Sequence, residues 1–288
     1  MIDKPGIYTL SAEAYHADPC PEPSLSASIA NVILQRSPAH ARIQHPRLYA
    51  GYEPRDDSRF DLGTAAHALL LERDASRFVW VPHNDWRTKD AKETRDAARA
   101  EGKLPILAQY EPVLHEMARI ARETVNDSEL AGLFDSGQPE QTVVWQDDGA
   151  WCRARPDWLN PAQRVCLDYK TAASAAPEQF IRQLGNIGYD VSAEFYLRGL
   201  AAVGHADLTY VFLAQEVEPP YACSLISLAN TYREVAQDKV ERAITCWRMC
   251  MAAGRWPAYT TRIHYAEPPA WVLNEYASQQ ALDEGEWQ

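Results

Sequence analysis

The chain has 288 residues, of which 46% are hydrophobic, and a formal net charge of -12. Such a hydrophobic content excludes a disordered chain, and the longest apolar stretch, around residues 65–71, is far shorter than the ~20 residues that a membrane span requires. The excess of acidic residues argues against a protein that coats nucleic acid by bulk electrostatics, but it leaves room for a locally basic groove.

The amino terminus and the cysteines predict a cytoplasmic protein with no membrane partner. Met1-Ile2-Asp3-Lys4-Pro5 lacks the basic start, apolar core and cleavage site of a signal peptide. The six cysteines contain no Cys-x-x-Cys pair, so neither a zinc ribbon nor a disulfide framework is indicated. Cys246 and Cys250 lie one helical turn apart, and we interpret them as buried thiols rather than as ligands of a metal cluster.

The first 60 residues predict a preface to the core. Residues 6–23 favour an extended lead-in, because its prolines oppose helix. Ser26 and Ser28 are candidate caps of a helix that contains Ile29, and Ser37-Pro38 predicts the start of a second helix.

A helix is predicted over residues 61–72, with small residues along one side. His67 lies among them. On residue type alone, a core histidine bonded to backbone is the favoured interpretation, and the alternative is a metal ligand presented from a helix.

A basic cluster at residues 87–95 follows a strand-like run at residues 78–81. A solvated helix face with ion pairs is the favoured interpretation, and phosphate contacts by Arg87 and Lys89 are the alternative. Residues 108–126 then predict an amphipathic helix with a structural role.

Strands are predicted next, at residues 142–145, 151–158 and 164–171, with a hairpin turn at Asp147-Asp148-Gly149. In the last of them, Asp168 and Lys170 share one face. If this strand pairs with the run that contains Asp157, the Asp157 carboxylate reaches the same point as that of Asp168, and two hard oxygen ligands beside a lysine suit Mg²⁺ and a phosphodiester. Glu140, just before the first strand, is equally consistent with a further carboxylate and with a surface residue.

The last third predicts a helix near residues 177–184, another at 189–200, strands at 208–214 and 221–227, and a helix at 230–253. Ser192 and Tyr196 share one helical face, so Tyr196 either holds a phosphate or packs against the sheet. We find no repeat or linker. The simplest division is one domain over residues 1–288, with a preface (1–60), a core (61–260) and a C-terminal helix with an acidic tail (261–288).

Four ordered motifs carry a family resemblance: Gly63-Thr64-Ala65-Ala66-His67, Arg155-Pro156-Asp157, Leu167-Asp168-Tyr169-Lys170-Thr171, and Tyr189 through Tyr196. In this order they resemble the PD-(D/E)XK nucleases, and most of all exodeoxyribonuclease VIII and related phage exonucleases, over roughly residues 6–260. The resemblance implies an α/β fold with a restriction-endonuclease-like core, in which helices flank a central mixed β-sheet behind a helical N-terminal preface.

The resemblance also implies roles for residues. His67, Asp157 and Asp168 would bind the metal with the Tyr169 carbonyl, and Lys170 would orient or activate the attacking water. The candidate DNA contacts are Arg87, Lys89 and Tyr196, and the further candidates are Glu140, Arg155 and Ser192. The family often has glutamine where this chain has Ser192, which weakens the substrate-positioning role of that segment.

The implied activity is processive 5′ to 3′ digestion of linear duplex DNA with Mg²⁺, or Mn²⁺ as a substitute. It would leave a 3′ single strand for an annealing protein, and a ring-shaped homo-oligomer would support processivity. Two alternatives stay open: a repair or CRISPR-associated nuclease of the same fold, and a non-catalytic DNA-binding protein. The cysteine spacing argues against an iron-sulfur cluster, and the complete set of Asp157, Asp168 and Lys170 argues against loss of activity.

Overall fold

The computed structural model describes residues 1–53, 62–71 and 78–286, with side chains to residue 280. The chain forms two compact units, residues 1–257 and 258–288. Asp61 and Glu72, at the ends of the predicted helix, lie outside the described residues. The division into preface, core and tail stays a prediction.

Eleven strands are present in the described residues: β1 (Gly6–Thr9), β2 (Leu25–Ser26), β3 (Phe78–Val81), β4 (Leu104–Leu107), β5 (Gln138–Pro139), β6 (Gln141–Asp147), β7 (Ala150–Ala154), β8 (Trp158–Asn160), β9 (Val165–Ala172), β10 (Thr209–Glu216) and β11 (Cys223–Ile226).

Ten α-helices are present in the same part of the chain: α1 (Ala12–His16), α2 (Ala27–Gln35), α3 (Pro38–Ile43), α4 (Leu62–Leu71), α5 (Lys89–Ala100), α6 (Glu111–Asn126), α7 (Pro177–Ile187), α8 (Tyr189–Ala202), α9 (Asn230–Ala253) and α10 (Ala270–Glu286). None of the helices in the described residues is both long and apolar enough to cross a membrane.

A mixed sheet of five strands, in the order β11-β10-β9-β8-β5, lies at the centre of the first unit. β9 and β10 run parallel, and the other neighbours are antiparallel. Helices α4 and α6 pack on one face, and α7 and α8 lie on the other, where Phe180 and Tyr189 contact Phe212. The predicted α/β fold, a central mixed sheet flanked by helices, is confirmed.

The side chains of β9 alternate between the two faces as predicted. Val165, Leu167 and Tyr169 belong to the hydrophobic cluster that includes α4 and α6. Cys166 belongs to the cluster on the other side. The side chains of Asp168 and Lys170 point to the same face of β9 as that of Cys166, because alternate residues of a strand share a face. The charged groups therefore lie on the face of β9 towards α8.

A second sheet has four strands in the order β1-β6-β7-β2. Its β6–β7 hairpin turns at Asp148 and Gly149, whose φ angles of 49° and 86° are those of a turn with two left-handed residues, as the sequence predicts. The preface supplies both outer strands, because β1 pairs with β6 and β2 pairs with β7.

Three local expectations are wrong. The strand predicted over residues 151–158 is broken into β7 and β8, because Pro156 has no N–H to donate to a sheet. The lead-in is not wholly extended: it contains α1, whose first turn is capped by the Ser11 side chain. β4, which pairs in parallel with β3, was not predicted.

All six cysteines lie in the described residues and are free thiols. Cys250, in α9, is buried, whereas Cys246 is half-buried, so the interpretation of buried thiols holds in full for Cys250 alone.

Candidate metal centre

The candidate centre lies where the chain passes from the four-stranded sheet to the five-stranded sheet. Glu140 separates β5 from β6, and Asp157 separates β7 from β8, so the chain changes sheet at both residues. The two crossings are joined by a 3.1 Å hydrogen bond from the N–H of Glu140 to the carbonyl oxygen of Asp157. Glu140 has a φ of 54°, a left-handed conformation that re-aims its side chain at this junction.

His67 completes a group of three from helix α4. Its Nε2 lies 3.2 Å from Oδ2 of Asp157 and 3.4 Å from Oε1 of Glu140. One ligand atom from each of the three residues lies within 4.8 Å of the others. Because Gly63, Ala65 and Ala66 keep this part of α4 narrow, the helix can approach the sheet closely enough to deliver the imidazole.

Asp168 and Lys170 stand beside this group on β9. Nζ of Lys170 lies 2.7 Å from Oδ2 of Asp168 and 3.8 Å from Oδ2 of Asp157. The predicted meeting of Asp157, Asp168 and Lys170 is therefore present, and one ammonium is shared by two carboxylates. In this arrangement Asp168 faces the lysine, while Asp157 faces both the lysine and His67.

The pKa values reflect this crowding. Burial lowers the pKa of His67, but the Asp157 and Glu140 carboxylates outweigh it and raise that pKa above the usual value. Burial and the Asp157 charge raise the pKa of Asp168. Burial likewise lowers the pKa of Lys170, but the charges of Asp168 and Asp157 raise it more, so the side chain is an ammonium at neutral pH.

The donor set fits a divalent cation. Within the described residues, three carboxylates, of Glu140, Asp157 and Asp168, face two permanent cations, those of Lys170 and Arg155. Crowded carboxylates of this kind repel one another unless a cation lies between them. Carboxylate oxygens suit Mg²⁺ and Mn²⁺, and the imidazole nitrogen of His67 adds a ligand that Mn²⁺ accepts more readily than Mg²⁺.

The backbone of Tyr169 faces Asp157, and the ligand role of its carbonyl stays a prediction. The N–H of Tyr169 donates a 2.8 Å hydrogen bond to Oδ2 of Asp157. In an extended strand the N–H and C=O of one residue point to the same edge, so the carbonyl also faces the side of β9 where Asp157 lies. The Tyr169 side chain points the other way and donates a hydrogen bond to buried Gln215.

The residues of α8 take different positions. The Tyr189 ring lies over Lys170, with Nζ 5.5 Å from the ring centroid. Tyr196 is partly buried and packs edge-on against Tyr210 at 6.1 Å between ring centroids, as the packing interpretation predicts. Ser192 donates a hydrogen bond to the Gly188 carbonyl and accepts one from Asn31, so its hydroxyl serves the helix and its neighbour.

Arg87 and Lys89 lie at the exposed start of α5. Their side chains are 91% and 89% exposed, and they pair with Asp85 and Glu93. This is the solvated face with ion pairs that the sequence favours, and their DNA contacts stay a prediction.

Arg155 is a site residue whose role the sequence does not specify. Its Nε lies 2.7 Å from Oε2 of Glu140, the oxygen that does not face His67. Glu140 itself belongs to the centre because of the sheet crossing, and its only signal in the sequence is its place just before a strand.

Comparison with known proteins decides the family. The model of a PDDEXK-like domain of unknown function, DUF3799, matches residues 30–269. The chain belongs to this family. The predicted membership of the PD-(D/E)XK superfamily is thereby confirmed, and the family supports a nuclease.

One solved structure agrees on the fold. A crystal structure described as a "putative exonuclease" from Eubacterium rectale matches with a TM-score of 0.57 and 13% sequence identity, over 92% of this chain and 98% of its own. A second, of SSO0001, covers 63% of this chain and 84% of its own at 14% identity, and its TM-score of 0.26 is too low to carry an argument. No curated protein matches the sequence.

Proposed function

We propose that this PDDEXK-like protein is a metal-dependent exodeoxyribonuclease that hydrolyses phosphodiesters of linear duplex DNA. The observation that carries the proposal is the meeting of His67, Glu140 and Asp157 with the Lys170–Asp168 pair at one junction between two sheets. A half-buried cluster of acids with one lysine has the chemistry for phosphoryl transfer to water.

We assign roles from the family resemblance together with the geometry. His67, Asp157 and Asp168 would hold Mg²⁺ or Mn²⁺, with Glu140 and the Tyr169 carbonyl as further ligands. The bound cation supplies Lewis-acid stabilisation of the phosphoryl oxygens and lowers the pKa of bound water. Lys170, as an ammonium, donates hydrogen bonds to a phosphate oxygen or to the attacking water and offsets the negative charge that develops in the transition state.

The proposal also covers the DNA substrate and the protein partners. Arg87, Lys89 and Tyr196 would contact the DNA, and the positive charges of Arg87 and Lys89 would locally offset the net charge of -12. Digestion would run 5′ to 3′ from duplex ends in phage recombination, leaving a 3′ single strand for an annealing protein. A homo-oligomeric ring around the duplex would keep the enzyme on its substrate between cuts.

The test compares linear with covalently closed circular duplex DNA in Mg²⁺, with each 5′ end labelled. We expect release of 5′-labelled mononucleotides from the linear substrate and an intact circle. Labelled strands that shorten progressively while they keep their 5′ label would reverse the polarity. Cutting of the circle would make the protein an endonuclease.

The matched variants are Lys170→Ala and Arg182→Ala. Lys170→Ala should abolish the digestion, because nothing else in the geometry described places an ammonium beside both Asp157 and Asp168. The Arg182 side chain, on α7, is 78% exposed and pairs with Glu178, so Arg182→Ala should retain the wild-type rate. A wild-type protein that binds duplex ends without digesting them would favour the non-catalytic DNA-binding alternative.

A further inference from the structure

Arg155 joins the metal centre to the N-terminal part of the chain. Its Nε lies 2.7 Å from Oε2 of Glu140 and also donates a 3.3 Å hydrogen bond to the Glu140 carbonyl. The other carboxylate oxygen of Glu140, Oε1, faces Nε2 of His67 at 3.4 Å. Oε2 of Glu140 is thus held by the guanidinium, and Oε1 faces the metal centre.

Tyr15, from α1, holds the Arg155 guanidinium from the other side. The Tyr15 ring is 8% exposed. The Cζ of Arg155 lies 5.9 Å from the ring centroid, and the Cζ of Arg153 lies 5.5 Å from the same centroid. Guanidinium groups at this range are attracted to the negative face of an aromatic ring. Tyr15 is therefore in contact with two arginines that project from the segment preceding Asp157.

Arg153 fixes the position of this ring. Its Nη1 donates hydrogen bonds to the Ser24 carbonyl at 2.7 Å and to the Ser24 hydroxyl at 2.6 Å, and it lies 3.4 Å from Oδ1 of Asp18. Arg153 and Asp18 are both buried, so this anchor excludes water. A rigid chain of contacts then runs from Asp18 through Arg153, Tyr15 and Arg155 to Glu140.

We propose that Tyr15 and Arg155 are positioning residues that hold Glu140 as a ligand of the metal centre. The inference rests on the proposed function, since it requires that the cluster of His67, Glu140 and Asp157 binds a divalent cation. Groups that orient a ligand contribute to metal affinity without touching the ion. In this protein helix α1 delivers Tyr15, which orients Arg155, so the N-terminal segment is part of the centre.

The test measures Mn²⁺ binding to the full chain in the absence of DNA, by calorimetry and by electron paramagnetic resonance, so no turnover is involved. Arg155→Gln should raise the Kd about 10-fold, the lower end of the effect of losing such a partner. Tyr15→Leu removes the ring and should raise the Kd several-fold. Tyr15→Phe keeps the ring, so we expect its Kd to stay within about twofold of wild type.

Thermal unfolding in EDTA shows whether a variant binds Mn²⁺ weakly because Glu140 is misplaced or because the whole protein has lost structure. Tyr15→Leu and Tyr15→Phe both alter the same buried position, and only the first removes the aromatic face. If Arg155→Gln fails to fold, this pair alone decides the matter. Equal Kd values for Tyr15→Leu and Tyr15→Phe, or wild-type Kd values for Tyr15→Leu and Arg155→Gln, would overturn the proposal.

Asp157→Asn distinguishes this failure from failure of the proposed function. If wild type binds Mn²⁺ and Asp157→Asn does not, the centre is real and the Tyr15 and Arg155 variants report on positioning alone. If Asp157→Asn binds as tightly as wild type, the cluster is not the metal centre, and both proposals fall.

Discussion

The backbone N–H of Tyr169 donates a 2.8 Å hydrogen bond to Oδ2 of Asp157. This bond fastens Asp157 to β9, the strand that carries Asp168 and Lys170. This bond is available because β8 pairs with β9 only as far as Leu167, opposite Trp158. Beyond Leu167, β8 no longer pairs with this edge of β9, and the Asp157 carboxylate accepts the hydrogen bond of Tyr169 there. The geometry of the centre therefore depends on where β8 begins.

Removal of the lysine should leave a defect that a metal ion repairs. In Lys170→Met the carboxylates of Asp157 and Asp168 lose their shared cation, and we expect the free energy of unfolding in EDTA to fall by about 2 kcal/mol, below the range for fully buried pairs because Lys170 is partly exposed. Ca²⁺ should recover most of this loss, as measured by urea unfolding.

Lys239→Met is the matched control for the lysine variant. Lys239 pairs with buried Asp190 at 2.6 Å, and neither residue belongs to the metal cluster. Its loss should destabilise the protein by a comparable amount, and Ca²⁺ should not repair it. Equal recovery of both variants in Ca²⁺ would mean that the ion acts elsewhere.

Asp18 should make stability depend on acid pH. Burial raises the pKa of its carboxyl, but hydrogen bonds from His45 and Ser24 and the charge of Arg153 outweigh burial and lower that pKa below its usual value. The stability that Asp18 contributes is then present above pH ~4, the unfolded pKa, and is lost as the pH falls through the lower folded pKa.

The matching variant is Asp18→Asn. At neutral pH it should cost about 3 kcal/mol of unfolding free energy, because Arg153 is left buried without its anion. Between pH ~4 and ~2 the stability of the variant should fall less steeply than that of wild type. Parallel urea-unfolding curves over a pH series would contradict this account of the cluster.

His67 should set the preference between metal ions. An imidazole nitrogen binds Mn²⁺ in preference to Mg²⁺, whereas a carboxylate oxygen accepts both. His67→Asp keeps three potential ligands in the group and should shift the ratio of Mn²⁺-supported to Mg²⁺-supported activity towards Mg²⁺ by about 10-fold. An unchanged ratio would place His67 outside the coordination sphere.

Arg87 and Lys89 should contribute to DNA affinity through phosphates alone. If each neutralises one phosphate, substitution of either by Gln should reduce the slope of log affinity against log salt concentration by about 1, for every duplex sequence. The binding is measured in Ca²⁺ over a salt series. A salt slope identical to that of wild type would leave these two residues with the ion pairs to Asp85 and Glu93 as their only role.

Much of the centre could be predicted because it is local. The alternation of β9 fixes Asp168 and Lys170 on one face, and this follows from strand geometry whatever the rest of the fold does. The position of His67 on a helix with small residues is likewise a local pattern. These features depend on neighbours in sequence, which pattern reasoning handles well.

The contributions of Glu140 and Arg155 could not be predicted, because they depend on long-range topology. Both lie where the chain leaves one sheet for the other. In the sequence, the only sign of the break between β7 and β8 is Pro156, which has no N–H to donate to a sheet. Tyr15 enters the centre from a five-residue helix far away in sequence. Contacts of this kind follow from packing, which residue type and spacing do not report.

The most direct test of the central claim is hydrolysis of a linear duplex by metal-stripped protein. We predict no hydrolysis in EDTA, recovery with Mg²⁺ or Mn²⁺, and a loss of at least about 100-fold in Asp157→Asn at saturating metal. The variant would hold the cation poorly, and loss of one strong electrostatic contact from the cation to the reacting phosphate costs about that much. Hydrolysis that persists in EDTA, or an Asp157→Asn variant as active as wild type, would contradict the assignment of this junction as a nuclease centre.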